Sequence, residues 1–230
     1  MVSNLLIYNK KIKEEAWKEI ESQDWDADTK NTVKLRWKEI NEPNLINKGT
    51  GAGGATTNEN GKKFEQDTNS EEQLLKETFN KDTFGLSKTF EDKKVTFTTQ
   101  AAFKKFIKEK FNRDVCRHPD EAFIVEFISG RKLVIIIEKK AQNVQGSVDQ
   151  KLWSSPSLKR EYEICLGNDF EVYYGLCLNQ TLTNWVVSDQ LKYKLLRQIL
   201  EENKIEFFNG CKQDYYQKLK QWFLKIDFIM

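Results

Sequence analysis

Residues 118–152 read HPDEAFIVEFISGRKLVIIIEKKAQNVQGSVDQKL, and this stretch decides the fold. Residues 122–127 and 133–138 are rich in β-branched and aromatic side chains, which predicts two strands. The polar run Ser129, Gly130, Arg131 and Lys132 supplies a turn between them, so the pair reads as a β-hairpin. Both strands are apolar at successive positions, with only Glu126 interrupting. Strands that are apolar on both faces lie under helices on both sides, which puts the hairpin in the middle of a sheet.

The charges gather at the open end of that hairpin. Asp120 lies just before the first strand, while Glu138 and Lys140 close the second, two residues apart and therefore on one side of the sheet. Two carboxylates at adjacent strand ends suit a hard divalent cation. A lysine beside them can hold a phosphate or an attacking water.

Pro119-Asp120, seventeen intervening residues and Glu138-Lys139-Lys140 together resemble the signature of the PD-(D/E)XK nuclease superfamily. The continuation Glu-x-Lys-x-Gln, followed from Gly146 by Gly-Ser-Val-Asp-x-Lys-Leu, resembles type II restriction endonucleases in particular. The resemblance implies an α/β fold with a restriction-endonuclease-like core, a central mixed β-sheet flanked by helices, and an N-terminal helical extension.

Upstream, residues 49–61 read GTGAGGATTNENG, the most irregular piece of the chain, and a flexible loop is expected there. Gly49, Gly51 and Gly54 satisfy a G-x-G-x-x-G pattern, but no strand precedes them and no apolar helix follows directly, so a nucleotide fold is not supported. Gly-Ala-Gly-Gly, Thr57-Asn58, Asn60-Gly61 and Phe64-Glu65 resemble the N-terminal segment of a group of restriction enzymes, where it leads into the helix flanking the active site. The resemblance makes Glu65 a further catalytic candidate and Asn58, Asn60 and Lys62 DNA-binding candidates. An ordinary exposed helix glutamate is the alternative for Glu65. Helix is expected to continue through about residue 79, followed by a hairpin over 88–98 and a helix over 101–111 with Phe103, Phe106 and Ile107 inward.

Downstream, residues 142–149 leave the strand as a polar loop. Gln142 shares the face of Glu138 and Lys140 if the strand runs that far, where it would contact the scissile phosphate or a base edge. Asn143, Gln145 and Ser147 are further DNA-binding candidates in the same loop. Helix is expected over 149–152 and 156–166, strand over 170–178, helix over 189–202, strand over 205–208 and helix over 213–224. Alternating strand and helix with crossovers is the second half of an α/β sandwich. Trp222 and Phe223 read as core anchors.

At 230 residues the chain can build one sizeable core. Residues 1–48 are expected to be a helical region of the same domain, with helices over 10–22 and about 28–41, and residues 49–230 the nuclease core. Ile12, Ala16, Trp17 and Ile20 mark one apolar face, and Val33, Leu35, Trp37 and Ile40 the other. This region reads as scaffold or dimerisation surface, with DNA contact as the minor option. The net charge of +2 says little about nucleic acid by itself. Lys104, Lys105, Lys108, Lys110, Arg113 and Arg117, just upstream of the acids, form either a phosphate-tracking face or a solvated helix surface.

Cys116, Cys165, Cys177 and Cys211 form no Cys-x-x-Cys pair, which argues against a zinc ribbon or redox motif; reduced core cysteines are expected. The sole histidine, His118, excludes two-histidine zinc hydrolase chemistry and is left to a local hydrogen bond or a phosphate contact. No apolar run approaches the ~20 residues of a membrane span, and residues 1–20 are too charged for a signal peptide. An intracellular, cytoplasmic protein is expected.

What the resemblance implies about function is specific. Asp120 and Glu138 would hold Mg²⁺, Lys140 would orient or help deprotonate the attacking water, and double-stranded DNA would be cut to 5′-phosphate and 3′-hydroxyl ends. A type II enzyme usually cuts a short palindrome as a homodimer, so a homodimer is expected here, beside a cognate DNA methyltransferase for the same site. The alternatives are a structure-specific repair or recombination nuclease with the same residues, and an inactive DNA-binding protein that keeps the fold.

Overall fold

The computed structural model describes residues 54–142 and 148–228, with residues 18, 22–27, 29–30 and 32–33; residues 54–60 and 148–149 are described by their backbone. The chain divides into two compact units, residues 1–58 and 59–230. In the first, residues 18 and 22 are helical, and so are Ala27, Thr29, Lys30, Thr32 and Val33. Asp26 starts this second helix as an N-cap: its Oδ1 accepts from the Thr29 amide at 2.9 Å, satisfying a donor that a first turn leaves orphaned. The expected apolar positions at 12, 16, 17, 20, 35, 37 and 40 lie outside the described residues.

The second unit is built on one seven-stranded sheet in sequence order: β1 (Asn80–Asp82), β2 (Gly85–Thr89), β3 (Lys93–Thr98), β4 (Glu121–Phe127), β5 (Lys132–Lys140), β6 (Glu171–Leu178) and β7 (Ile205–Asn209). The first five pair antiparallel; β5 with β6 and β6 with β7 pair parallel. Among the described residues seven α-helices accompany the strands, in chain order α1 (Gly54–Asp67), α2 (Gln100–Phe111), α3 (Val148–Trp153), α4 (Ser155–Leu166), α5 (Gln180–Val186), α6 (Leu191–Glu202) and α7 (Tyr215–Lys225). This is a mixed α/β sheet flanked by helices, with the β4–β5 hairpin between β3 and β6 as its sequence predicts. Gly130 closes the hairpin turn at φ +91°, a conformation that side-chain-bearing residues rarely adopt.

Two cores follow from the strand period of two. Ala122, Ile124, Val134, Ile136, Tyr174 and Leu176 point to one face and pack with Phe103, Phe106, Tyr162, Leu166 and Leu196 from the helices. Phe123, Val125, Leu133, Ile135, Ile137 and Cys177 point to the other and meet Phe64, Leu75, Leu219, Trp222 and Phe223. Continuous apolar runs in β4 and β5 serve both cores at once.

Four expectations need correction. The glycine-rich stretch is helical from Gly54, where a loop was expected. Buried Phe64 anchors the second half of α1, and a helix already nucleated gains a hydrogen bond for each residue added, which carries it back through weak formers. Helix does not run on to residue 79, because it breaks at Thr68–Asn69 before a short π-helical turn, Glu71–Leu75. Helix α5 arises where none was expected; Asn179, which looks like a glycosylation sequon, caps it by accepting from the Leu182 amide at 3.1 Å. Of the cysteines, all free, only Cys177 is buried in the core; Cys116 and Cys211 are exposed in connecting segments. Among the described residues no helix is long and apolar enough to cross a membrane.

Candidate active site at the end of the central hairpin

Three side chains converge where β5 ends. Lys140 Nζ lies 2.7 Å from Glu138 Oε2 and 3.5 Å from Asp120 Oδ2, and it also donates to the Lys139 carbonyl at 3.1 Å. Asp120 is held independently, its Oδ2 accepting from the Lys139 amide at 2.7 Å. The spacing explains the convergence. Residues 138 and 140 share a face of β5, and antiparallel pairing of Glu121 with Ile137 brings the start of β4 beside the end of β5.

The cluster is mostly withdrawn from water, with 20% exposure at Asp120, 13% at Glu138 and 21% at Lys140. Burial pushes the Glu138 carboxyl above its ordinary value; Lys140 opposes this and Asp120 adds to it. Burial alone would lower the Lys140 ammonium, but the two carboxylates outweigh it and hold it above its ordinary value. Two buried phenols, Tyr162 and Tyr174, feel the same charge: burial first, then Glu138, raises both. Their rings lie 6.4 Å apart, and neither hydroxyl has a hydrogen-bond partner among the described residues.

Glu65 belongs electrostatically to this group. It lies on α1, and its carboxyl is raised by burial and next by the charge of Asp120, with Lys139, Lys140 and Lys62 pulling the other way. Lys62 is exposed on the same helix. The backbone of Asn58 and Asn60 is in α1, while Asn143, Gln145 and Ser147 lie outside the described residues. Strand β5 ends at Lys140, so Gln142 is not on the strand face; it is 5% exposed, and its carbonyl accepts from Asn179 Nδ2 at 3.2 Å. His118 is exposed.

The basic run upstream is largely engaged. Lys105 meets Glu109 at 3.8 Å, Lys108 meets Asp114 at 2.7 Å, Arg117 meets Glu161 at 2.8 Å, and Arg113 pairs with Asp169. Four of its six cations therefore already face carboxylates.

Sequence reading missed a second charged cluster on the opposite face. Lys139 Nζ contacts Glu121 Oε1 at 2.6 Å, with side-chain exposures of only 4% and 2%. Both residues carry charge at the ends of strands whose middles are apolar, and 121 and 139 share the parity that faces away from Asp120. That parity was the available signal.

No set of three or more histidine, cysteine, aspartate or glutamate side chains forms a metal cage among the described residues. The donors present are instead two partly exposed carboxylates already bridged by one cation. This suits Mg²⁺, which is commonly held by one or two carboxylates and keeps several waters. Comparison of the chain with protein-family models, with curated proteins and with solved structures returns no match.

Proposed function

We propose that this chain is a Mg²⁺-dependent nuclease of the PD-(D/E)XK type, acting as a type II restriction endonuclease on double-stranded DNA. The observation that carries the reading is the meeting of Asp120, Glu138 and Lys140 on one sheet face, at the ends of two adjacent central strands. The sequence resemblance selects those three residues. Their close approach is what the chemistry needs.

Asp120 and Glu138 would hold the metal. When bound, Mg²⁺ would neutralise charge on the scissile phosphate and favour ionisation of a coordinated water. Lys140, released from the carboxylates it now bridges, would donate to the phosphate or orient the attacking water. Glu65, within the field of Asp120, would hold a water on the α1 side. Product ends would be 5′-phosphate and 3′-hydroxyl. A homodimer would match the two-fold symmetry of a palindromic site, with a methyltransferase of the same specificity protecting the host DNA.

The test is incubation of the purified protein with unmethylated phage DNA and Mg²⁺ beside Glu138→Ala and Lys140→Ala. Discrete fragments absent from both variants are the expected result. A smear that reads DNA structure rather than sequence, but is lost in the variants, would mean a structure-specific nuclease of the same superfamily. Tight binding with no cleavage would mean a DNA-binding protein, and cleavage that survives both substitutions would remove these residues from the reaction.

A further inference from the structure

Lys139 touches both faces of the sheet end. Its amide donates to Asp120 Oδ2 at 2.7 Å on the acidic face. Its side chain crosses to the opposite face, where the ammonium contacts Glu121 Oε1 at 2.6 Å and the Glu65 carbonyl at 3.1 Å. Glu121 is fixed in turn by Ser70, whose amide donates to Oε1 at 2.9 Å and whose hydroxyl donates to Oε2 at 2.6 Å. One network therefore ties the residue between Glu138 and Lys140, the residue after Asp120, the helix that carries Glu65, and the segment that follows it.

A buried ion pair gives little net stability, because desolvating both charges offsets their attraction. Two ammonium donors and both carboxylate oxygens are engaged in directional hydrogen bonds, so what the pair supplies is geometry. We infer that Lys139, Glu121 and Ser70 form a positioning network that sets the spacing of Asp120 and Glu138 for a divalent cation and holds Glu65 beside them. The inference rests on the nuclease reading and deepens it. Lys139 touches neither DNA nor metal; it acts through its neighbours.

The variant that separates geometry from stability is Lys139→Met with Glu121→Leu, which removes both charges and leaves none buried alone. Because the buried Ser70 amide and hydroxyl lose their acceptor, its thermal midpoint should fall by a few degrees while the fold persists. Mn²⁺ affinity by calorimetry should fall on the order of 10–100-fold, as when outer partners of metal ligands are lost. Cleavage kcat should fall in parallel with KM for DNA unchanged. A folded double variant with unaltered Mn²⁺ affinity and kcat overturns the proposal. Should that variant not fold, Ser70→Ala removes one hydroxyl and keeps the ion pair: a few-fold weaker Mn²⁺ binding supports the network, and unaltered binding counts against it. Unaltered protein that binds Mn²⁺ yet cuts nothing sinks the nuclease reading and leaves the affinity comparison to decide this one. Unaltered protein that binds no Mn²⁺ ends both.

Discussion

Lys140 Nζ sits 2.7 Å from Glu138 Oε2, and the same ammonium reaches Asp120 at 3.5 Å, so one cation bridges the two carboxylates proposed to hold another. Lys140 and a divalent ion would compete for the same oxygens. Lys140→Ala should therefore separate two properties that usually fall together. At pH 8 its Mn²⁺ affinity should rise a few-fold, while cleavage falls by on the order of 10² or more, the scale of losing a donor positioned at developing charge. Calorimetry and a gel assay on the same preparation check this. If affinity and cleavage decline in step, Lys140 is holding the carboxylates in place rather than competing for them.

Two glycines test how packing reaches the site. A Cβ on Gly210 would lie 2.6 Å from Cys177 Sγ, 2.8 Å from Phe64 Cζ and 2.8 Å from Thr68 Cγ2, so Gly210→Ala must push these buried side chains aside. Overpacking of this kind costs about 1–3 kcal/mol. Because Glu65 follows Phe64 on α1, cleavage should fall as well. Gly61 has open space around its Cβ position and lies within α1, so Gly61→Ala should stabilise by about 0.5–1 kcal/mol. Urea denaturation of the two variants should move in opposite directions; a shared direction would mean that α1 is not held as described.

The sheet was legible because residues 122–125 of β4 and 133–137 of β5 are apolar at successive positions, a pattern that a strand covered on two faces requires. The site was legible for a related reason: Glu138 and Lys140 share parity, and Asp120 stands at the start of the paired strand. The Glu121–Lys139 pair obeys the same parity rule on the other face. It escaped notice because a lysine at a strand exit reads as solvated, and its partnership with Ser70 spans 51 residues that sequence spacing does not connect. The first half of helix α1 escaped for another reason. Gly54, Thr56, Thr57, Asn58, Asn60 and Gly61 all have weak helix propensity, and tertiary anchoring through Phe64 overrides it. Helix α5, seven residues long, is too short to show a periodic apolar face.

Arg131 clamps the far end of the hairpin, with Nε 2.7 Å and Nη2 3.0 Å from the two carboxylate oxygens of Glu171 and Nη1 2.9 Å from Asp227. Hydrogen bonds from Arg131 hold the Glu171 carboxyl below its ordinary value. A carboxyl depressed on folding adds stability above its unfolded pKa and loses it as pH falls through the lower folded value. Glu171 is 49% exposed, so solvent screening limits the pair to less than about 1 kcal/mol. Glu171→Gln should thus lower the urea midpoint modestly at pH 7, and the gap from the unaltered protein should close as pH drops below the usual glutamate range. A gap of the same size at pH 7 and well below pH 4 would mean that the side chain contributes through packing, with Arg131 making no difference to its charge.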